Sequence, residues 1–176
     1  MKATKNVTPG IYLVGFMGSG KTTIGRKLAS TLRWPFADLD DDIEAHANKT
    51  IPELFDQDGE TEFRRIEAEM LARRVASVKQ GEPLVLSLGG GAFAQAGNRA
   101  ALENAGLSIW LDVPLPMLER RVAGFAHRPL ARDPQKFRDL FFARRNSYAK
   151  ADAHIEVISD DPRPTVDAIL ALEFFR

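Results

Sequence analysis

The stretch Gly15-Phe16-Met17-Gly18-Ser19-Gly20-Lys21-Thr22-Thr23 decides the fold of this chain. A glycine, four variable residues and then Gly-Lys-Thr form the pattern of a phosphate-binding loop. The apolar run 11–14 precedes the loop and predicts a buried strand, and apolar residues at helical spacing follow it and predict a helix. Strand, glycine-rich turn and helix are the context that such a loop requires.

The residue types of this loop suit a chain of phosphates. Glycines let successive backbone N–H groups curl around an anion, and the helix start adds a partial positive charge. Lys21 would reach the terminal phosphates, and the Thr22 hydroxyl would ligate magnesium. The alternative is a connecting turn with a stray lysine. The candidate nucleotide-binding residues of the loop are Gly18, Ser19, Gly20, Lys21, Thr22 and Thr23.

The composition is that of an ordinary globular chain, with 44% hydrophobic and 27% charged residues. Its 24 basic and 24 acidic residues give zero formal net charge, so we expect neither nucleic acid nor a membrane as a partner. The lack of cysteine excludes disulfides and thiol chemistry. We expect no signal peptide, because residues 1–9 are short and polar, and no apolar run approaches the ~20 residues of a membrane span. We expect a monomeric cytoplasmic protein with one domain, residues 1–176.

Acidic residues follow the second predicted strand, which starts near Pro35. Asp38 and Asp40 are expected to point the same way from the strand end, because side chains repeat every second residue. They form a reasonable pair for magnesium and a substrate hydroxyl. Asp41 or Asp42 is expected to cap the next helix.

The next segment carries a helix start signal and an arginine of uncertain role. Thr50 and Glu53 form a predicted capping box, which starts a short helix that breaks at Asp58-Gly59. A long helix is predicted over 60–78. Arg64 lies among acidic residues at helical spacing, so the local pattern leaves open surface pairing or ligand binding.

Three glycines, Gly89-Gly90-Gly91, follow the predicted buried strand 84–88. Such glycines at the carboxyl end of a parallel strand let a ligand lie against bare backbone, although a flexible loop is the alternative. Further strands are predicted over 108–113 and 154–158, and further helices over 98–105, 115–122, 134–148 and 165–174. Five strands alternating with helices predict a three-layer α/β/α sandwich with a parallel sheet.

A phosphate-binding loop alone does not separate kinases from other nucleotide-binding proteins. This chain is short and lacks the Asn-Lys-x-Asp motif with which GTPases recognise guanine. The segment of about 123–135 combines glycine, prolines and arginines, which predicts a surface lid, with a solvated basic face as the alternative. A lid that excludes water favours a small-molecule kinase.

Over nearly its whole length, the chain resembles the shikimate kinases. The resemblance implies a nucleoside-monophosphate-kinase-like fold with strand order 2-3-1-4-5. It also implies transfer of the ATP γ-phosphate to the 3-hydroxyl of shikimate with magnesium, on the pathway to chorismate. The matching motifs are Gly15 to Thr22, Asp38-Leu39-Asp40, Phe63-Arg64-Arg65, Gly89-Gly90-Gly91, Arg128-Pro129-Leu130 and Arg144-Arg145 with Tyr148.

The resemblance implies roles for individual residues. Asp40 would bond the substrate hydroxyls and accept the reacting proton, and Asp38 would help Thr22 to hold magnesium. Arg64 and Arg145 would clamp the shikimate carboxylate, because a planar guanidinium matches a planar acid. The substrate would also contact Gly89, Gly90 and Gly91.

The resemblance further implies how the nucleotide is held. Arg121 would stack on adenine, and Arg128 in the lid would close over the transferred phosphoryl group. Arg163 and Pro164 match a second adenine-contacting loop only loosely. The implied catalytic residues are Lys21, Asp40 and Arg128.

Two other functions stay open on sequence grounds. A sugar-acid kinase such as a gluconate kinase would use the same loop and lid. A non-catalytic ligand-sensing domain is a second alternative, although it would be free to lose Lys21 or Asp40, and both are present. We therefore expect ATP and shikimate as the small-molecule partners.

Overall fold

Strand β1, Gly10–Val14, is buried along its whole length and lies in the middle of a parallel sheet. It pairs with β3, Leu84–Ser87, on one side and with β4, Leu107–Asp112, on the other. Strands β2, Phe36–Asp38, and β5, Ala153–Glu156, form the two edges. The observed order β2-β3-β1-β4-β5 confirms the expected topology. The loop after β1 therefore lies at the switch point of the sheet, where α/β proteins bind ligands.

The computed structural model describes residues 9–123 and 133–175. Helices flank the sheet and complete the expected three-layer α/β fold. No helix in these two ranges has the length and apolar character needed to cross a membrane. The helices are α1, Lys21–Leu32; α2, Leu39–Ala47; α3, Ile51–Lys79; α4, Ala96–Leu102; α5, Leu115–Ala123; α6, Pro134–Tyr148; and α7, Pro162–Leu170.

Helix α3 follows its sequence signals closely. The Thr50 side chain accepts a bond from the Glu53 N–H, and the Glu53 carboxylate accepts one from the Thr50 N–H, which confirms the predicted capping box. Gly59 has a non-helical backbone (φ 83°, ψ 172°) and bends the element where the sequence predicts a break.

An aspartate cap explains two of the helix starts that differ from prediction. Helix α2 begins at Leu39 because Asp38 is its N-cap, so the expectation that Asp41 or Asp42 caps this helix is wrong. Helix α7 begins at Pro162, capped by Asp161, three residues before the predicted start. Proline at the first helical position needs no hydrogen-bond partner for its nitrogen, which favours this earlier start.

Phe16 anchors the phosphate-binding loop to α6. Its buried ring makes edge-to-face contacts with Phe137 and Phe141, at centroid distances of 5.1 and 5.6 Å. Such contacts are worth about 0.5–1.5 kcal/mol beyond simple burial. The loop and the last long helix therefore form one packed unit.

Substitution of Gly106 tests the close backbone contact between this residue, just before β4, and Gly10 at the start of β1. A Cβ at this residue would lie 2.2 Å from the Gly10 carbonyl oxygen, and its φ of +136° disfavours other residues. We expect Gly106→Ala to lower the free energy of unfolding by about 2–5 kcal/mol. Gly97→Ala in α4 is the matched control, because a Cβ there meets no atom within 4 Å. It should stabilise the protein by up to ~1 kcal/mol, and urea unfolding measures both. Equal effects would contradict this account.

Candidate active site

The phosphate-binding loop is shaped to receive an anion at the start of α1. Gly20, the N-cap residue, takes a left-handed conformation with φ of 88°. Within the described residues, no side chain caps α1, so the N–H groups of its first turn have no acceptor from a capping side chain, and the residues of this turn line the cavity beside the loop. The Lys21 ammonium donates to the carbonyl oxygens of Gly15 and Phe16 at 2.9 and 3.1 Å, which holds it across the loop.

The Asp38 carboxylate joins the loop to α2. One oxygen, Oδ2, accepts from the Thr22 hydroxyl at 2.9 Å, and the other, Oδ1, accepts from the Asp40 N–H at 3.1 Å. Both oxygen-bearing side chains line the same cavity. Magnesium takes one or two such oxygens together with phosphate and water oxygens, so this pair fits it. The described residues contain no cluster of three or more His, Cys, Asp or Glu side chains for a metal.

Asp40 lies beside the triple glycine, but not for the predicted reason. It belongs to the first turn of α2 rather than to a strand, so strand alternation does not set its direction. A Cβ on Gly89 would lie 2.7 Å from Asp40 Oδ1, which shows how closely the two approach. Burial, followed by the nearby Asp38 carboxylate, raises the pKa of Asp40 to about 6.

A cavity of about 480 Å³ connects these groups. This volume suits a small-molecule ligand. Ser87, Leu88, Gly89 and Gly90 form its wall beside Asp40. The remaining lining residues are 17–24 of the loop and α1, together with Asp38, Arg121, Val122, Val157 and 159–162.

Two guanidinium groups flank the end of the triple glycine. A Cβ on Gly91 would lie 2.8 Å from Nη2 of Arg64 and 3.2 Å from Nη2 of Arg144. One on Gly90 would lie 3.1 Å from Nη1 of Arg144. The Tyr148 hydroxyl donates to the Gly90 carbonyl at 2.5 Å and fixes this backbone. The three glycines therefore run from an acid at one end to two cations at the other.

A buried carboxylate holds Arg64 in place. Its Nη1 donates to both oxygens of Glu67, at 2.8 and 3.0 Å, and Glu67 is only 1% exposed. Asn98, also buried, donates to Glu67 and to the Ala92 carbonyl. Burial raises the pKa of Glu67, while its bonds with Arg64 oppose the shift. In the part of the chain that the structure describes, Arg64 Nε is buried without a hydrogen-bond partner, so this arginine retains a donor.

Arg145, which the sequence analysis expected to clamp the carboxylate with Arg64, does not join this group. Its Nη1 and Nη2 donate to the two oxygens of Asp112 at 2.6 and 2.8 Å. The adjacent Arg144 lies against Gly90 and Gly91 instead. Phe137, Phe141, Arg144 and Tyr148 are spaced by four, three and four residues, the signal by which the inward arginine could have been found.

Arg121 lies at the cavity and bridges two loops. It donates to the Gly18 carbonyl at 2.9 Å, to the Ser159 carbonyl at 3.3 Å and to Asp160. Residues 159–162 line the cavity, whereas Arg163 and Pro164 are exposed within α7. Arg163 pairs with Asp161, and neither it nor Pro164 is among the residues that line the cavity. Arg128 and residues 124–132 of the expected lid lie outside the described residues.

The functional side chains that the sequence analysis missed are Arg144, Glu67 and Asn98. Glu67 stands three residues after Arg64, a spacing that allows their bidentate contact on one helix face. Asn98 gave no usable signal, because a buried asparagine is indistinguishable by sequence from one exposed in a short helix.

Comparison with known proteins identifies the family. Residues 17–172 match the family model described as shikimate kinase. A shikimate kinase of Cereibacter sphaeroides is 46% identical over 149 residues, covering 83% of this chain and 73% of that protein.

Solved structures agree with this sequence comparison. The chain superposes on a shikimate kinase from Acinetobacter baumannii, determined in complex with shikimate, with a TM-score of 0.84 and 38% identity. That match covers 96% of this chain and 94% of the other. A gluconokinase from Sinorhizobium meliloti has a TM-score of 0.58 and 18% identity, covers 94% of this chain and 91% of that one, and shares the fold alone. The chain belongs to the shikimate kinase family.

Proposed function

We propose that this protein transfers the γ-phosphoryl group of ATP to the 3-hydroxyl of shikimate, giving shikimate 3-phosphate and ADP on the pathway to chorismate. The observation that carries the proposal is the triple glycine with Asp40 at one end and the Arg64 and Arg144 guanidiniums at the other. A small ring with hydroxyls and one carboxylate matches this order of charges. The complex of the Acinetobacter baumannii relative with shikimate supports it.

The proposed reaction takes place in the cavity that the phosphate-binding loop, Asp40 and the first two glycines of the triple glycine line together. The substrate hydroxyl oxygen attacks the γ-phosphorus while the bond from phosphorus to the bridging oxygen of ADP breaks. Asp40 accepts the hydroxyl proton, and its pKa of about 6 leaves it mostly ionised at neutral pH. Lys21 stabilises the charge that develops on the phosphate oxygens, since this reaction depends mainly on positioning and electrostatics.

Thr22 and Asp38 would hold magnesium beside the loop. When bound, the ion supplies positive charge that neutralises the phosphates. The Asp38 carboxylate also fixes the start of α2, so it couples the candidate metal site to the position of Asp40.

Arg144 replaces Arg145 as the proposed partner of Arg64 in binding the substrate carboxylate. Its guanidinium lies against Gly90 and Gly91, where the planar fork can meet a planar acid. From the family resemblance, we further propose that the lid of about 123–135 brings Arg128 over the transferred group and that Arg121 contacts adenine. A single domain, cytoplasmic location and monomeric state remain our expectations.

The proposed activity is tested directly by shikimate-dependent ADP release. With ATP and magnesium, we expect ADP formation that saturates with shikimate and falls to background when EDTA removes the metal. Gluconate is the matched substrate, because a gluconate-type kinase would use the same loop. Turnover of gluconate in preference to shikimate would overturn the proposal, as would release independent of either acid.

Substitution of Arg144 tests the reassigned carboxylate contact. We expect Arg144→Met to raise the KM for shikimate about 100-fold, equivalent to ~2.7 kcal/mol, with a KM for ATP within twofold of the wild type. Arg65→Met is the matched control, because Arg65 is exposed and pairs with Glu62 and Glu69 of its own helix. An unchanged KM for shikimate in Arg144→Met would remove this residue from the site.

We expect the ionised Asp40 side chain to lower the free energy of unfolding although the proposed reaction needs it. Its pKa is raised to about 6, so the folded protein loses stability as the pH rises through that value. Asp40→Asn should therefore increase the free energy of unfolding at pH 8 by about 1–3 kcal/mol but change it little near pH 4. The same variant should lose at least ~100-fold in kcat.

Urea unfolding at the two pH values measures the stability effect. Asp56→Asn, at an exposed position of α3, is the control and should leave both stability and kcat unchanged. An Asp40→Asn variant that is less stable than the wild type at pH 8 would contradict the burial argument.

A further inference from the structure

The Arg145–Asp112 pair is a well-built contact outside the cavity. The two hydrogen bonds, 2.6 and 2.8 Å long, join both nitrogens of one guanidinium to both oxygens of one carboxylate. Asp112 is the last residue of β4, and its side chain is only 13% exposed. A bidentate, partly buried pair of this kind holds its partners much more firmly than an exposed ion pair. It fastens the last turn of α6 to the end of the sheet.

Aromatic rings fix the same pair from the sides. The Arg145 guanidinium lies over Trp110 at 4.8 Å and over Phe141 at 5.3 Å. His154 stacks on Trp110 at a centroid distance of 4.5 Å, and its Nε2 lies 3.0 Å from Asp112 Oδ2. The Arg145–Asp112 pair is therefore packed among side chains of β4, β5 and α6.

The residue before Arg145 lies against the triple glycine that we propose as the substrate site. Arg144 reaches Gly90 and Gly91 from the same helical turn whose other side is fastened to Asp112. Tyr148, one turn later, donates to Gly90. Because backbone atoms of neighbouring helical residues move together, a shift of this turn would displace the Arg144 guanidinium from the glycines.

We propose that Arg145 and Asp112 are positioning residues that set the reach of Arg144 into the substrate pocket. The inference rests on the proposed function, because the expected effect is on the binding of shikimate. Arg145 itself does not touch the substrate. Its contribution passes entirely through Arg144, which distinguishes it from a second carboxylate ligand.

A double-mutant cycle distinguishes a positioning role of Arg145 from that of a second carboxylate ligand. Arg145→Met in the wild-type protein should raise the KM for shikimate about tenfold, with kcat and the KM for ATP within twofold. In an Arg144→Met background, the same change should alter the KM for shikimate by less than twofold. If the increase in KM of the double variant were the product of the two single-variant increases, the proposal would be overturned, because Arg145 would then act independently of Arg144. A lowered melting temperature with an unchanged KM would overturn it too.

Further variants sharpen the result. Arg145→Lys keeps the charge and one hydrogen bond, so its KM should fall between those of the wild type and Arg145→Met. Asp112→Asn should raise the KM in the same direction. Arg138→Met is the matched control on α6, because Arg138 forms an exposed pair with Glu119 at 2.6 Å, and its KM for shikimate should stay within twofold.

A crystal structure of ligand-free Arg145→Met, compared with one of the wild type, tests the inference without an assay. We expect the Arg144 guanidinium to leave its place against Gly90 and Gly91. An unmoved guanidinium would overturn the positioning role even in an active enzyme. If the wild type does not phosphorylate shikimate, the proposed function fails, and this comparison still decides whether Arg145 positions Arg144.

Discussion

The site depends on the single carboxylate of Asp38. One oxygen caps α2 through the Asp40 N–H, and the other binds the Thr22 hydroxyl of the phosphate-binding loop. These two bonds help to fix the position of Asp40 relative to Lys21, together with the packing of Leu39 and Ile43 of α2 in the core. Burial, followed by the nearby Asp38 carboxylate, raises the pKa of Asp40, and this shift reflects the cost of keeping its charge in a partly buried site. Function and local stability thus conflict at this point.

The rest of the site is assembled by packing rather than by local sequence. Phe16 ties the loop to α6, and Arg145 ties α6 to the end of β4. Tyr148 then ties α6 to the triple glycine. Each contact joins residues far apart in the chain, so the phosphate-binding loop, the triple glycine and Arg144 are held in fixed positions relative to one another.

Local signals predicted the fold and the sheet edge that carries the site. The strand, glycine loop and helix at 11–32 are specified by neighbours in sequence, as is the capping box at Thr50. Arg144 and Arg145 were not told apart, although the helical spacing of Arg144 with Phe137, Phe141 and Tyr148 favours it as the inward residue. The choice between them is made by Asp112, 33 residues earlier, which binds one and leaves the other facing inward. The N-cap of α2 was predicted wrongly for a similar reason. Residues 38–42 include four aspartates, and the end of β2 at Asp38 decides which of them caps the helix.

The arrangement of Arg64, Arg144 and Glu67 has a consequence for electroneutrality. Two guanidiniums stand against one buried carboxylate, since Glu60, the other acid that pairs with Arg64, is 68% exposed and screened by water. Among the groups beside Gly91 that are shielded from solvent, one positive charge is therefore in surplus. A monocarboxylate cancels this surplus on entering, whereas a dicarboxylate would bring an uncompensated anion into a confined space and an amide would leave the cation unbalanced. The buried Glu67 therefore favours a ligand that brings a single negative charge to Arg64 and Arg144.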